Sequence, residues 1–414
     1  MHDKLFAAAL GIAAPWFVAG LRFDEKSKVL TIGVDFAVGS RFRIEGAPGD
    51  HPVHDTVTKT YRHLNFFQHE CVLDVRTPRV KLPDGSVRLV RPEFAGQLSG
   101  FTLLFEALVL MLAPQMPFAA VARTVGISAH RVRAICEGYV AQALQAADFS
   151  TVTCLAIDET SRARGHDYIT LAADAEARRV LAVVEGRDAK TVTTIAAELT
   201  EHGCPAGQIT SVSIDMSPAF IKGCTEVLPK ARITFDKFHV VWHANAAVDK
   251  MRRIEQRTDP SLKGMRWSLL KDRAKLRPEA VVDLDALIAR MARVRTARAW
   301  VYKEQLREIL DRKQIHVVRA ALRQWCTCVM RSKVAPMKDV AALVRRHLEG
   351  IVAWAQTRQT NGFLEALNGL FQAAKRRARG FTRFKTIKTV IFLIAGKLNF
   401  HAINPHAPNP LEIQ

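Results

Sequence analysis

Two carboxylates follow runs of apolar, β-branched residues: Asp158 in LAIDET and Asp215 in VSIDMSPAF. A Val or Thr would propagate either strand better, so each Asp marks a place where a buried strand opens into the crevice at its carboxyl end. Taken singly, either one equally suits a cap on the turn or helix that follows. A third carboxylate lies far downstream, in QTNGFLEALNGLFQAAKRRARGFTRFKT. At about 100° per residue, Asn361, Glu365, Asn368, Gln372, Lys375 and Arg376 form one polar stripe, and Phe363, Leu364, Leu367, Leu370 and Phe371 form the face that packs on a sheet. One carboxylate and two amides followed by cations is an order suited to a metal ion first and phosphates further along; a merely solvated face mixes several Glu with Lys. Three carboxylates converging on a crevice imply two hard divalent ions, Mg²⁺ or Mn²⁺, neutralising the attacking and leaving oxygens of an in-line phosphodiester displacement. Asp236 and His239, in TFDKFH, sit at another strand end and fit equally an auxiliary metal or DNA contact and a helix cap.

The elements that must position these groups belong to a basic, folded chain. Its 414 residues carry 60 Lys+Arg against 40 Asp+Glu, a net charge of +20, with 49% hydrophobic residues, which supplies a sizeable core and excludes disorder. A surplus of that size is the footprint of a polyanion partner, nucleic acid or an anionic membrane face, and makes small cationic substrates implausible. Seven scattered cysteines, an odd number without a CxxC, write neither a disulfide framework nor a four-thiolate zinc site, and point to a reducing cytosol. The uncharged run from Leu5 to Leu21 is broken by Pro15 and is marginal for crossing a membrane; it is expected to be a buried helix ending in a turn.

Residues 29–43 and 56–91 read as short antiparallel strands, and Phe101, Leu104, Phe105, Leu108 and Leu112 recur at helical spacing. Phe118–Thr124, Val125-Gly126-Ile127 and Ser128–Val140 have the layout of a helix-turn-helix. On its second helix Val132, Ile135, Cys136 and Tyr139 share one inward arc. Ser128, His130, Arg131 and Arg133 lie at the end that enters a major groove. From Thr151 the order strand, strand, strand, helix, strand, helix, strand is that of a mixed sheet. Residues 238 to about 350 are almost wholly helical and basic, with fourteen Lys+Arg against six Asp+Glu between Lys250 and Ala299. After the polar stripe, Lys375, Arg376, Arg377 and Arg379 begin a stretch of seven cations without an acid, a surface for DNA phosphates.

Taken together, LGIAAPWFVAG, HPVHDTVTKTYRHLNFFQHE, SGFTLLFEALVL, AIDETSRARGHDYITL, SIDMSPAFIKG, ITFDKFHVV and TNGFLEALNGLFQAAKRRARGF make the chain resemble the DDE transposases of bacterial insertion sequences, in particular the ISL3 family. The resemblance implies an α/β plus α protein: an RNase H-like mixed-sheet core with Asp158, Asp215 and Glu365 as catalytic, metal-binding triad, interrupted by a helical insertion. It further implies a DNA-binding β-rich module and helix-turn-helix ahead of the core, metal-dependent cleavage at terminal inverted repeats, and strand transfer. The expected divisions are a β-rich, zinc-ribbon-like module at 1–96, a helix-turn-helix region at 97–148, the first part of the core at 149–240, the insertion at 241–350, the C-terminal core helices at 351–402 and a tail at 403–414. The family's zinc-ribbon cysteines are missing between Phe42 and Lys59, and His51, His54, His69 and Cys71 match no zinc spacing, so structural zinc is not expected. Expected partners are double-stranded DNA, at element ends and target, and further copies of the chain in a dimer or higher oligomer; no membrane is expected, and the location is the cytoplasm, at the nucleoid. Two rival readings are a catalytically silent DNA-binding derivative and an RNase H-like nuclease.

Overall fold

In VLTIGVDF every second side chain is buried, the period-two pattern of a half-covered strand, and this alternation organises the first of two sheets. The chain is described from a computed structural model that defines residues 6–8, 10–163, 167–359 and 361–408. It divides into one unit of residues 1–147 with 370–414 and a second of residues 148–369.

The first unit contains β1 (Trp16–Asp24), β2 (Val29–Phe36), β3 (Arg41–Arg43), β4 (Asp50–Phe66), β5 (His69–Lys81) and β6 (Val87–Leu89), in the order β1-β2-β5-β4-β3 with β6 on β5. Rings of Trp16, Phe36 and Phe42 meet at 5.3–5.8 Å in its core. Two expectations are corrected here. The run to Leu21 does not end as a helix: from Trp16 it is a strand, because Trp16 and Val18 point inward while Phe17 and Ala19 face out, a period of two hidden in a uniformly apolar stretch. The strands are also not all short and antiparallel, since β4 spans 17 residues, β5 spans 13, and β2 pairs with β5 in parallel.

Helices of this unit are α1 (Leu103–Leu112), capped by Thr102, α2 (Phe118–Val125) and α3 (Ala129–Gln145). Between α2 and α3 the chain turns at Gly126, whose φ of 73° suits glycine and where a Cβ would stand 3.2 Å from Glu70 Oε1. Ser128 caps α3, accepting from Arg131 N, and Val132, Ile135, Cys136 and Tyr139 are buried as their spacing requires. A C-terminal helix, Phe384–Ala395, is tied to α3 through Glu137, which accepts from Thr386 Oγ1 at 3.1 Å and pairs with Lys385 at 3.6 Å.

The second unit is built on β7 (Cys154–Ala163), β8 (Asp167–Asp174), β9 (Arg179–Glu185), β10 (Ser211–Ile214) and β11 (Arg232–Phe235). Their order is β11-β10-β7-β8-β9; the pairs β7–β8 and β8–β9 are antiparallel, and β10 is parallel to both β7 and β11. Two helices, α4 (Ala189–Glu201) and α5 (Pro218–Val227), provide the crossovers. After β11 the chain is helical: α6 (Lys237–Glu255), α7 (Arg266–Leu270), α8 (Pro278–Ala289), α9 (Arg295–Asp311), α10 (Ile315–Arg331), α11 (Ala335–Arg346), α12 (Leu348–Thr357) and α13 (Gly362–Arg377). Polar groups also hold this part together. Glu255 on α6 accepts from Thr296 N at 2.6 Å and Thr296 Oγ1 at 2.7 Å on α9. Lys303, 1% exposed, donates to Leu269 O at 2.7 Å and pairs with Glu304, which together satisfy an ammonium that burial would otherwise penalise. Among the described residues no helix is long and apolar enough to cross a membrane.

Candidate active site

The sheet register sets the site. Ala156 on β7 pairs with Ser213 on β10, and Ser213 pairs with Thr234 on β11. Two residues further along each strand stand Asp158, Asp215 and Asp236, so the three aspartates share one level across strands spaced by about 4.8 Å. Asp158 does not close its strand, as the sequence reading supposed; β7 runs on to Ala163 against β8, and Asp158 marks the level at which the shorter β10 stops.

Glu365 comes from α13, whose start is fixed by hydrogen bonds to that sheet edge. Asn361, fully buried, donates its backbone N–H to Asp236 Oδ2 at 2.6 Å and its amide to the Ile157 carbonyl at 3.1 Å. Two turns on, Asn368 Nδ2 donates to Asp158 Oδ2 at 2.9 Å, while the other oxygen of Asp158 accepts from Glu159 N at 2.9 Å. Glu365 lies between these two asparagines on the same helical stripe and is itself exposed. Leu364, Leu367 and Phe371 are buried on the opposite face, but Leu370 of the expected apolar face is 58% exposed.

The carboxylates act on one another. Burial pushes Asp158 up to about 6, and the charges of Asp215 and Glu365 add to the rise, against the Glu159 N–H and the charge of His239, which lower it. Glu159 is likewise raised, by burial and by Asp215, with Arg187 opposing at 3.4 Å. Four residues beyond His239 on α6, His243 is held below the ordinary histidine value by burial and by His239, with Asp215 opposing. Asp236 is 0% exposed and caps α6, accepting from Phe238 N at 2.9 Å, so it holds α6 and α13 to the strand end. Oδ1 of Asn361, Oδ1 of Asn368 and Nε2 of His239 are buried without a hydrogen-bond partner among the described residues. Carboxylates with unpartnered amide oxygens are the donor chemistry of a hard divalent cation. Among the described residues, however, no three His, Cys, Asp or Glu side chains are gathered closely enough to hold one ion.

In the first unit, the start of α3 exposes Ser128, His130 and Arg131, with Arg133 half-buried. Ser128 is occupied as the helix cap. Arg131 lies against its own chain, its guanidinium 4.1 Å from the Phe101 ring centre and donating to Ser99 O at 2.7 Å, and Arg133 pairs with Glu137 at 3.8 Å. Further on, Arg376, Arg377 and Arg379 are exposed, and Lys375 lies over the Phe371 ring at 5.8 Å.

A family model described as "Transposase" matches residues 155–391, more than half of the chain, and one for the helix-turn-helix domain of transposase family ISL3 matches residues 90–152. The chain belongs to the ISL3 family of transposases. It is 27% identical to the transposase for insertion sequence element IS1001 of Bordetella parapertussis, across 80% of this chain and 82% of that protein. It is 28% identical to the transposase for insertion sequence element IS1557 of Mycobacterium tuberculosis, across 91% and 92%. This transposase therefore has the DNA-binding helix-turn-helix and the DNA-processing domain of insertion-sequence enzymes.

Sequence reasoning passed over Glu159 and His243 of the transposase. His243 had a signal, the four-residue spacing in FHVVWH that puts two imidazoles on one helical face. Residues weighed for a substitute zinc site do not converge: His51 pairs with Phe42 and His69 with Phe66, at opposite ends of a strand pair about 50 Å long at ~3.3 Å per residue. Cys71 faces the core, where burial pushes its thiol up to about 11.

Proposed function

We propose that this transposase cleaves a phosphodiester at each end of its element and joins the freed 3′-hydroxyl to target DNA, with Asp158, Asp215 and Glu365 as the catalytic triad. The observation that carries the reading is the level shared by Asp158 and Asp215 in the sheet, to which Asn361 and Asn368 anchor the helix bearing Glu365. Three antiparallel strands continued by two parallel ones, with a helical segment between β11 and α13, support an RNase H-like core with an insertion. The same division supports a β-rich module and helix-turn-helix as the end-binding part.

Asp158, Asp215 and Glu365 are the residues that would hold the divalent ions, which when bound stabilise charge on the attacking and leaving oxygens. Asn368 orients Asp158 by donating to one of its oxygens while Glu159 N donates to the other, which fixes the carboxylate plane. Asp236 acts through position alone, holding α6 and α13 in register with the strand ends. In the first unit, the cations Lys375, Arg376, Arg377 and Arg379, in the last turn of α13 and just past it, supply phosphate contact, and the start of α3 supplies base reading.

The test is to incubate purified protein with a duplex carrying the element's end and Mg²⁺. Cleavage and strand transfer are expected. Binding without cleavage would leave a silent DNA-binding derivative, and cutting governed by DNA structure alone would indicate a nuclease.

A further inference from the structure

The chain has six tryptophans, and four of them, Trp16, Trp300, Trp325 and Trp354, are buried. Trp242 and Trp267 are 62% and 60% exposed, and both line one groove of about 730 Å³ between α6 and the segment around α7. An exposed indole forgoes the burial that stabilises the others, and the two in this groove form an apolar surface, with the Arg266 guanidinium 5.0 Å from the Trp267 ring centre. Half of the remaining lining is cationic, and the rest is apolar or neutral apart from one acid. Lys250, Arg257 and Lys271 are exposed and form no ion pair with an acid among the described residues. The groove's acidic residue, Asp249, is already matched by Arg252 at 2.8 Å and Arg253 at 2.6 Å. At one end of the groove Trp242 is followed on α6 by His243, which its ring meets edge-on at 5.0 Å and on which the charge of Asp215 acts.

We propose that this groove binds single-stranded DNA, with unpaired bases stacking on Trp242 and Trp267 and the backbone running past Lys250, Arg257 and Lys271. Flat apolar faces set among unpaired cations match a strand that offers both a π-face and a phosphate in each nucleotide. Duplex DNA presents the phosphates but keeps its π-faces stacked, so the indoles select the unpaired form. The inference rests on the proposed chemistry at the carboxylates, since frayed or cleaved ends arising there would enter the groove at Trp242.

The test uses tryptophan fluorescence of the full chain, titrated with an oligothymidylate of ~10 nucleotides, a length within the usual range for such sites. Because only Trp242 and Trp267 are exposed, quenching reports those two rings. The strand should quench strongly and an equal duplex weakly. The double variant Trp242→Ala/Trp267→Ala should lose the quench and bind the strand about tenfold more weakly or worse. Phenylalanine at both positions should keep most of the affinity while losing the signal, and serves as the second variant if the alanine protein does not fold. The Asp158→Ala protein should be quenched like wild type, which separates this inference from the catalytic assignment. Equal quenching by duplex, or unchanged strand affinity in the double alanine variant, overturns the proposal. Quenching that persists in the phenylalanine variant does so as well.

Discussion

Asp158→Asn should make the cation-free protein more stable at neutral pH. Asp158 has a folded value of about 6 against an ordinary 3.8, a rise of about two units, and each unit corresponds to about 1.4 kcal/mol. Because the folded value is raised, the native state holds the proton more tightly than the unfolded chain. The stabilisation from that proton is complete below pH ~4 and is lost as the pH rises through about 6. At pH ~7 the wild-type carboxylate therefore costs about 3 kcal/mol, an order-of-magnitude figure. Asparagine removes the charge and replaces the contacts: its side-chain oxygen accepts from Glu159 N, and once the Asn368 amide turns over its own amide donates to Asn368 Oδ1, which in the wild type is buried and unpartnered among the described residues. A gain of about 1–3 kcal/mol in the 148–369 unit corresponds to melting about 2–12 °C higher. Thermal melting in EDTA at pH ~4 and pH ~7 measures it, and the variant should show a flatter pH dependence than wild type across that interval. A variant that melts no higher than wild type at pH ~7, or keeps the wild-type slope, refutes the reasoning.

Gly350→Ala on α12 would place a Cβ 2.4 Å from the Phe235 ring, the residue before Asp236; melting should fall by the equivalent of about 1–3 kcal/mol, and an unchanged melting temperature contradicts this packing. Neutralising Lys375, Arg376, Arg377 and Arg379 together should weaken binding to all duplexes alike and flatten its salt dependence by about 0.9 in log–log slope per lost phosphate contact, as a salt titration would record. Changing His130, Arg131 and Arg133 should instead lower the ratio of affinities for terminal-repeat and scrambled duplexes, since base contacts are worth ~1–3 kcal/mol each. An unchanged ratio moves sequence reading to the β-rich module.

What the sequence disclosed was set by local periodicity. The turn of the helix-turn-helix was legible because Gly126 and the cap Ser128 bracket it, and the α13 stripe because a 3.6-residue period separates Asn361, Glu365 and Asn368 from Leu364, Leu367 and Phe371. Where every residue is apolar the period vanishes, so the strand beginning at Trp16 passed for part of a helix. Registers were not legible either. That Asp158 lies within β7 rather than at its end depends on pairing with β8, and that Asp236 caps a helix while anchoring Asn361 depends on residues 125 positions apart. The same holds for Glu106 in the first unit, buried on α1 and accepting from Gln97 N, Leu98 N and the Tyr139 hydroxyl, which in turn accepts from the Asn404 amide at 3.0 Å. No spacing rule links residues 97, 139 and 404, and only the fold brings them together.

The catalytic assignment is tested most directly by comparing end cleavage with end binding in Asp158→Ala, Asp215→Ala and Glu365→Ala, using the element's terminal duplex and Mg²⁺. Each variant should bind that duplex like wild type and leave it uncut. A variant that nicks the duplex at the wild-type rate would contradict the triad at that residue.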